Sequence, residues 1–207
     1  SVGTLKVSNQ TVGATFTGST ASALTLGVSG VSKAATVDLD DAKATSLALN
    51  LSSLGNKAAD GTITNVTLDQ NAATATAVTA ELTGSNYVNF NTVLNAAKSL
   101  TVEGTGSLTA AVTNTNIGAL ETLTVSESAS VDVDAVAAGA LKTVAAAGTT
   151  GAVAVQVDDT ATAVATGSGN DTVTYTAAIG ANASVDLGAG DDTLTVTGAD
   201  KTATINA

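Results

Sequence analysis

The sequence predicts an all-β fold: a parallel β-solenoid, β-roll-like, with coils of about 21 residues joined by short loops or helical turns. Two ladders of strand-like segments and a narrow composition carry that prediction. The first ladder is Leu100-Thr101-Val102, Leu123-Thr124-Val125, Val144-Ala145-Ala146, Val164-Ala165-Thr166 and Val185-Asp186-Leu187, with steps of 23, 21, 20 and 21 residues. The second is Leu108-Thr109-Ala110, Val131-Asp132-Val133, Val153-Ala154-Val155, Val173-Thr174-Tyr175 and Leu194-Thr195-Val196, with steps of 23, 22, 20 and 21. The offset from first to second strand is 8 or 9 residues throughout. Two independent ladders with one period indicate coils that stack on their neighbours.

Composition agrees with a thin, regular interior. Aromatics make up 2% of the 207 residues, Pro, Cys, Met, Trp and His are absent, and all seven basic residues are lysines. Ala, Val, Leu, Ile and Thr remain to fill the core, and the β-branched members suit a pleated surface. Alternation along each short strand places Leu, Val and Ala inward and Thr, Asp or Lys outward. Without cysteine there is no disulfide, which is compatible with an extracellular protein held by metal ions.

The N-terminal part is less regular. Candidate strands are Leu5–Val7, Ala14–Phe16, Leu24–Val28, Val37–Leu39, Leu47–Leu51, Val66–Leu68 and Val88–Phe90. Leu24 to Leu47 is 23 residues and Leu47 to Leu68 is 21, so the period persists, interrupted by apparent insertions at Gly55–Thr62 and Asn71–Asn86. Val93–Ser99 and Val136–Leu141 are candidate helical turns. The step from Val88 to Leu100 is only 12 residues, which suggests a register break or junction near 91–97. The chain accordingly divides into an irregular β-rich solenoid segment, 1–94, and a regular β-roll-like solenoid, 95–207. Asp38, Asp40 and Asp41 read as the end of a strand.

One corner of the regular segment carries candidate chemistry. Residues 166–174 read T-G-S-G-N-D-T-V-T and residues 187–195 read L-G-A-G-D-D-T-L-T, 21 residues apart. Both match the calcium-binding nonapeptide G-G-x-G-x-D-x-U-x at the second and third glycines (Gly167 and Gly169, Gly188 and Gly190). They also match at the aspartate (Asp171, Asp192) and at the apolar position (Val173, Leu194). Both depart at the first glycine, which is Thr166 or Leu187. Glycine allows tight turns with inward carbonyls, and aspartate supplies a hard oxygen. Ca²⁺ takes roughly six to eight oxygens, so two stacked turns are needed where one falls short. The candidate ligand set is therefore Thr166, Gly167, Ser168, Gly169, Asn170, Asp171, Gly188, Gly190, Asp191 and Asp192. Asp132 with Asp134, and Asp158 with Asp159, are weaker candidates. The return corner, including Thr176–Gly180, lacks aspartate and is expected to be apolar. In earlier coils the candidate corner loses the aspartate, as at Glu103–Gly106, Ser126–Ala129 and Ala147–Gly151.

These turns resemble those of the RTX family of secreted bacterial proteins. With the Ala/Thr/Val/Gly-rich, Cys-free, acidic composition, the chain is similar to surface-layer (S-layer) proteins of Gram-negative bacteria, of the kind coating Caulobacter. The resemblance implies type I secretion to the extracellular cell surface and calcium-dependent self-assembly into a two-dimensional lattice. It also implies anchoring to cell-surface polysaccharide through a region outside this chain. It covers 95–207 by motif and period, and 1–94 by composition only. No secretory signal is visible and Ser1 opens directly in strand-like sequence, so the chain is expected to belong to something longer.

Charge and residue types narrow the alternatives. The net charge is −11; residues 101–207 carry two Lys against twelve acids, whereas residues 1–100 carry five against six. So acidic a half repels nucleic acid and anionic membranes and calls for counter-cations. No apolar run is long enough for a transmembrane helix. Without His and Cys, the commonest general base and thiol nucleophile are missing, so an enzyme is not expected. Only Phe16, Tyr87, Phe90 and Tyr175 offer rings for stacking on sugars. A repeat region of a calcium-dependent secreted adhesin is the alternative. An ice-binding solenoid comes third, from Thr122/Thr124, Thr172/Thr174 and Thr193/Thr195.

Overall fold

A computed structural model describes residues 3–17, 20–40, 43–70, 74–110, 117–134, 139–198 and 204–206. The strands of the N-terminal half are β1 (Thr4–Ser8), β2 (Ala14–Thr17), β3 (Ala23–Ser29), β4 (Ala35–Asp40), β5 (Ser46–Leu54), β6 (Asn56–Lys57), β7 (Ile63–Thr64), β8 (Val66–Gln70) and β9 (Ala77–Phe90). There follow β10 (Ser99–Gly104), β11 (Ser107–Ala110), β12 (Thr122–Val125), β13 (Ser130–Val133), β14 (Thr143–Ala145) and β15 (Val153–Val157). The last are β16 (Ala163–Ala165), β17 (Thr172–Tyr175), β18 (Ser184–Asp186), β19 (Thr193–Val196) and β20 (Thr204–Asn206). No helix occurs among the described residues.

Eighteen of these strands form one parallel sheet wound into a β-solenoid, its coils stacked about 22 residues apart. One face stacks β1, β3, β5, the first half of β9, β10, β12, β14, β16, β18 and β20. The other stacks β2, β4, β8, the second half of β9, β11, β13, β15, β17 and β19. β6 and β7 form a separate antiparallel hairpin.

The first face follows the expected ladder. Leu24, Leu47, Val78, Leu100, Leu123, Val144, Val164 and Val185 are successive register partners. None is more than 2% exposed. Each leucine or valine therefore packs on the equivalent side chain one coil away, which places the core on the axis. At roughly 1.5–3 kcal/mol per buried large aliphatic side chain, this column is a main source of stability. The return loops add Leu94, Leu120, Leu141, Ala161 and Ile179, all buried. The expected apolar return corner is thus present.

Four expectations are corrected. Leu47 pairs with Val78, not with the Leu68 coil. Leu68 lies on the second face between Val37 and Phe90. Residues 77–86 are not an insertion but the front of the 14-residue β9, which serves both faces. The short step from Val88 to Leu100 compares different faces, since Leu100 pairs with Val78 and Val88 with Ala110; strand pairing continues in register from β9 to β10 and β11 across the 91–97 turn. On the second face Val173 pairs with Val155, not Val153. A shift of two residues keeps every side chain on its own face, so alternation alone cannot choose between the two valines. The candidate helical turn at 93–99 is a hydrogen-bonded turn, with the Asn95 amide donating to Thr92 O and Ala97 to Leu94 O. At the second, residues 136–138 lie outside the described residues, and 139–140 form a turn.

Candidate metal-binding site

The two glycine–aspartate turns stack directly. Register pairs Ala165 with Asp186 before the turn and Thr172 with Thr193 after it. Gly188 (φ +81°) and Gly190 (φ +140°) occupy the left-handed half of backbone space that favours glycine. A Cβ on Gly188 would overlap the Gly167 carbonyl oxygen, and one on Gly190 the Gly169 carbonyl oxygen. In the earlier copy, Gly167 and Gly169 are required by stacking alone: a Cβ there would collide with the carbonyls of Thr149 and Gly151.

The polar side chains of this corner are used between coils. Thr166 Oγ1 donates to the Leu187 carbonyl at 2.6 Å. Asn170 Oδ1 accepts from the Asp191 amide at 3.1 Å. Asp192 Oδ1 accepts from the Asp171 amide at 2.9 Å, and Asp171 Oδ1 from the Val153 amide at 2.7 Å. Each aspartate thus ties its turn to the preceding coil. This differs from a simple face-to-face stack of repelling carboxylates: a backbone amide is interposed as donor at each step.

Asp171 is 1% exposed, and its second oxygen, Oδ2, is buried with no hydrogen-bond partner. Such an atom carries the full cost of desolvation unless something positive meets it. Oxygen-only donors suit a hard cation, and carbonyls crowd the same glycine turns. The orphaned Asp171 Oδ2 is the one observation in this corner that suits such a cation. Asp171 Oδ1, Asp192 Oδ1 and Asn170 Oδ1 are already engaged with amides. Ser168, Asn170 and Asp191 are exposed. No three acidic side chains converge as a metal cluster among the described residues.

The weaker candidates separate. Asp132 is exposed on β13, while Asp134 falls just after the strand with its Oδ1 buried and unpartnered. Asp158 Oδ1 accepts from the Thr160 amide at 2.8 Å and hydroxyl at 2.6 Å, which closes a local turn; Asp159 is exposed.

Sequence reasoning missed two polar features. In the coil before the motif, buried Thr149 donates from Oγ1 to the Ala129 carbonyl at 2.8 Å and accepts the Gly151 amide at 3.0 Å. A hydroxyl thereby satisfies a corner that has no aspartate. On the second face, Asp38 and Asp69 are direct register partners. Asp69 Oδ2 accepts from Asn91 Nδ2 at 3.1 Å, and its Oδ1 accepts from the Thr92 hydroxyl. Burial, then the charges of Asp69 and Asp40, raise the Asp38 pKa above its ordinary value. Direct parallel pairing is the signal that exposes this pair, and it required the register of β8.

The first face presents small outward residues in register, Thr79, Thr101 and Thr124 among them. Ala48 interrupts the threonines on one side, and Ala145, Ala165 and Asp186 on the other. No protein-family profile, no curated protein and no solved structure matches this chain.

Proposed function

We propose that the chain is a structural segment of a bacterial surface-layer protein, exported from the cell and set into a two-dimensional lattice by calcium. What carries the reading is the buried, unpartnered Asp171 Oδ2 within two stacked glycine–aspartate turns of a parallel solenoid. When bound, calcium would supply positive charge between coils, held by Asp171 with the carbonyls of 166–169 and by the 188–192 turn. A ligand bound only by the folded state adds about 2.7 kcal/mol at 100 times its Kd. The ion would thus couple folding of the acidic half to the calcium-rich exterior. A repeat region of a calcium-dependent adhesin uses the same coil chemistry and differs only in failing to form sheets. An ice-binding reading comes third: Thr172 pairs with Thr193 and Thr174 with Thr195 on the second face, but Ala48, Ala145 and Ala165 interrupt the threonines of the first.

The test is calorimetric calcium titration with circular dichroism, on the wild type and on Asp171→Ala/Asp192→Ala, followed by electron microscopy. Calcium binding that the double variant loses, with ordered sheets in calcium, supports the surface-layer reading. Binding without sheets favours the adhesin. A wild type that binds no calcium overturns both.

A further inference from the structure

The hairpin β6–β7 is the one antiparallel element among the described residues, and it interrupts the coil period beside the second face. Gly55 leads into it with φ +70°. A Cβ at this position would overlap the Thr64 carbonyl and lie 2.8 Å from Tyr87 Cβ. Glycine here lets the hairpin close against the strand that carries Tyr87. The result is a shallow, open cleft of about 490 Å³.

The lining has a distinct chemistry. Ser32, Ser53 and Ser85 contribute hydroxyls, Asn56 a carboxamide, Lys57 an ammonium and Tyr87 an aromatic ring. No aliphatic side chain is among the described lining residues, which disfavours an apolar peptide. One cation among six polar groups does not make an anion site. Hydroxyl and amide groups lining one cleft with a single ring suit a ligand that is polyhydroxylated on its edges and carries C–H groups on its faces. Of the four aromatic residues, Phe90 and Tyr175 are buried, and Phe16 is half-buried in β2. Tyr87 is half-buried and lines this cleft.

We propose that the cleft between the 56–64 hairpin and the second face binds a saccharide, with Tyr87 as the stacking surface and Asn56, Ser53 and Ser85 as hydrogen-bonding groups. The site is independent of the glycine–aspartate corner and of calcium. It faces solvent, so exchange with a glycan needs no opening of the solenoid.

The sequence has two tyrosines and no tryptophan, which makes the test direct. Protein with labelled tyrosine rings is titrated by NMR with maltotriose, triacetylchitotriose and trigalacturonic acid. The expected result is a saturable shift of the Tyr87 ring with at least one trisaccharide, in the millimolar range, while the Tyr175 ring stays unmoved. Tyr87→Ala should abolish binding, read from the ligand's own line broadening, and Asn56→Ala should weaken it about tenfold or more. No saturable shift with any of the three overturns the proposal. So does a shift that Asn56→Ala and Ser85→Ala leave unchanged, since that would be unspecific contact with the ring alone.

Discussion

The Asp192 carboxylate accepts the amide hydrogen of Asp171, and the Asp171 carboxylate accepts that of Val153, one coil further back. The two aspartates therefore form a relay from turn to turn. Asp171→Ala, measured by urea unfolding in EDTA, should cost about 1.5–3 kcal/mol, because a charge-assisted bond is lost and the buried Val153 amide is orphaned. Asp171→Asn keeps an acceptor and should cost less. Equal stability of wild type and Asp171→Ala without calcium would show that the relay is not formed.

Gly188 combines a left-handed backbone with direct overlap between any Cβ and the Gly167 carbonyl. Gly188→Ala should destabilise the C-terminal coils by more than about 1 kcal/mol, since strain and the clash add. Gly148 has open space around it and an ordinary φ, so Gly148→Ala should be close to neutral. Thermal melts of the two variants side by side provide the check; similar losses in both would contradict the stacking.

Tyr175 is fully buried with no hydrogen-bond partner for its hydroxyl, and burial pushes its pKa up to about 12. Tyr175→Phe removes the orphaned hydroxyl and keeps the ring, so stability should be unchanged or rise by up to about 1 kcal/mol. Absorbance during alkaline titration should show Tyr175 ionising only near that value or on unfolding. A loss of stability in the phenylalanine variant would mean that the hydroxyl has a partner.

Two carboxylates should act oppositely with pH. The raised Asp38 pKa means that the native state holds this proton more tightly than the unfolded chain. Its contribution favours folding in acid and is lost as pH rises through the unfolded and then the folded value. At neutral pH the Asp38–Asp69 pair is a cost, and Asp38→Asn should stabilise by about 0.2–1 kcal/mol, a gain that vanishes below about pH 4. Glu121 lies between Lys142, at 2.9 Å, and Lys98, at 3.1 Å. Hydrogen bonds and charge from Lys142, then Lys98, lower its pKa. Its contribution is present above the unfolded value and lost as pH falls through the lower folded one. Melting curves across acid pH for Asp38→Asn and Glu121→Gln should therefore diverge, and parallel curves would refute the assignment.

The first ladder from Leu100 to Val185 was legible because one leucine or valine in each coil fills the same axial space. The second was legible from Leu108 to Val153 and again from Val173 to Leu194. Between them, Val153 and Val155 are interchangeable as partners of Val173 under a two-residue alternation, and only the length of the intervening turn separates them. The front of β9 escaped notice because A-V-T-A-E-L-T-G-S-N alternates weakly and ends in turn-like residues. The aspartates were visible as a motif, but their amide partners were not, since those depend on which coil lies above which. The Asp38–Asp69 pair and the Tyr87 cleft were illegible for the same reason, each joining residues from coils of irregular length.

The 14 residues of β9 cross from one face to the other as a single ribbon, hydrogen-bonded to β5 and β8 on one side and to β10 and β11 on the other. In most coils a turn divides the two faces, so a pulling force can peel one short strand at a time, like opening a zip tooth by tooth. At β9 both faces must part together. A rod stretched from its ends should shed coils in small steps until the break reaches this splice, and there pause under a higher load.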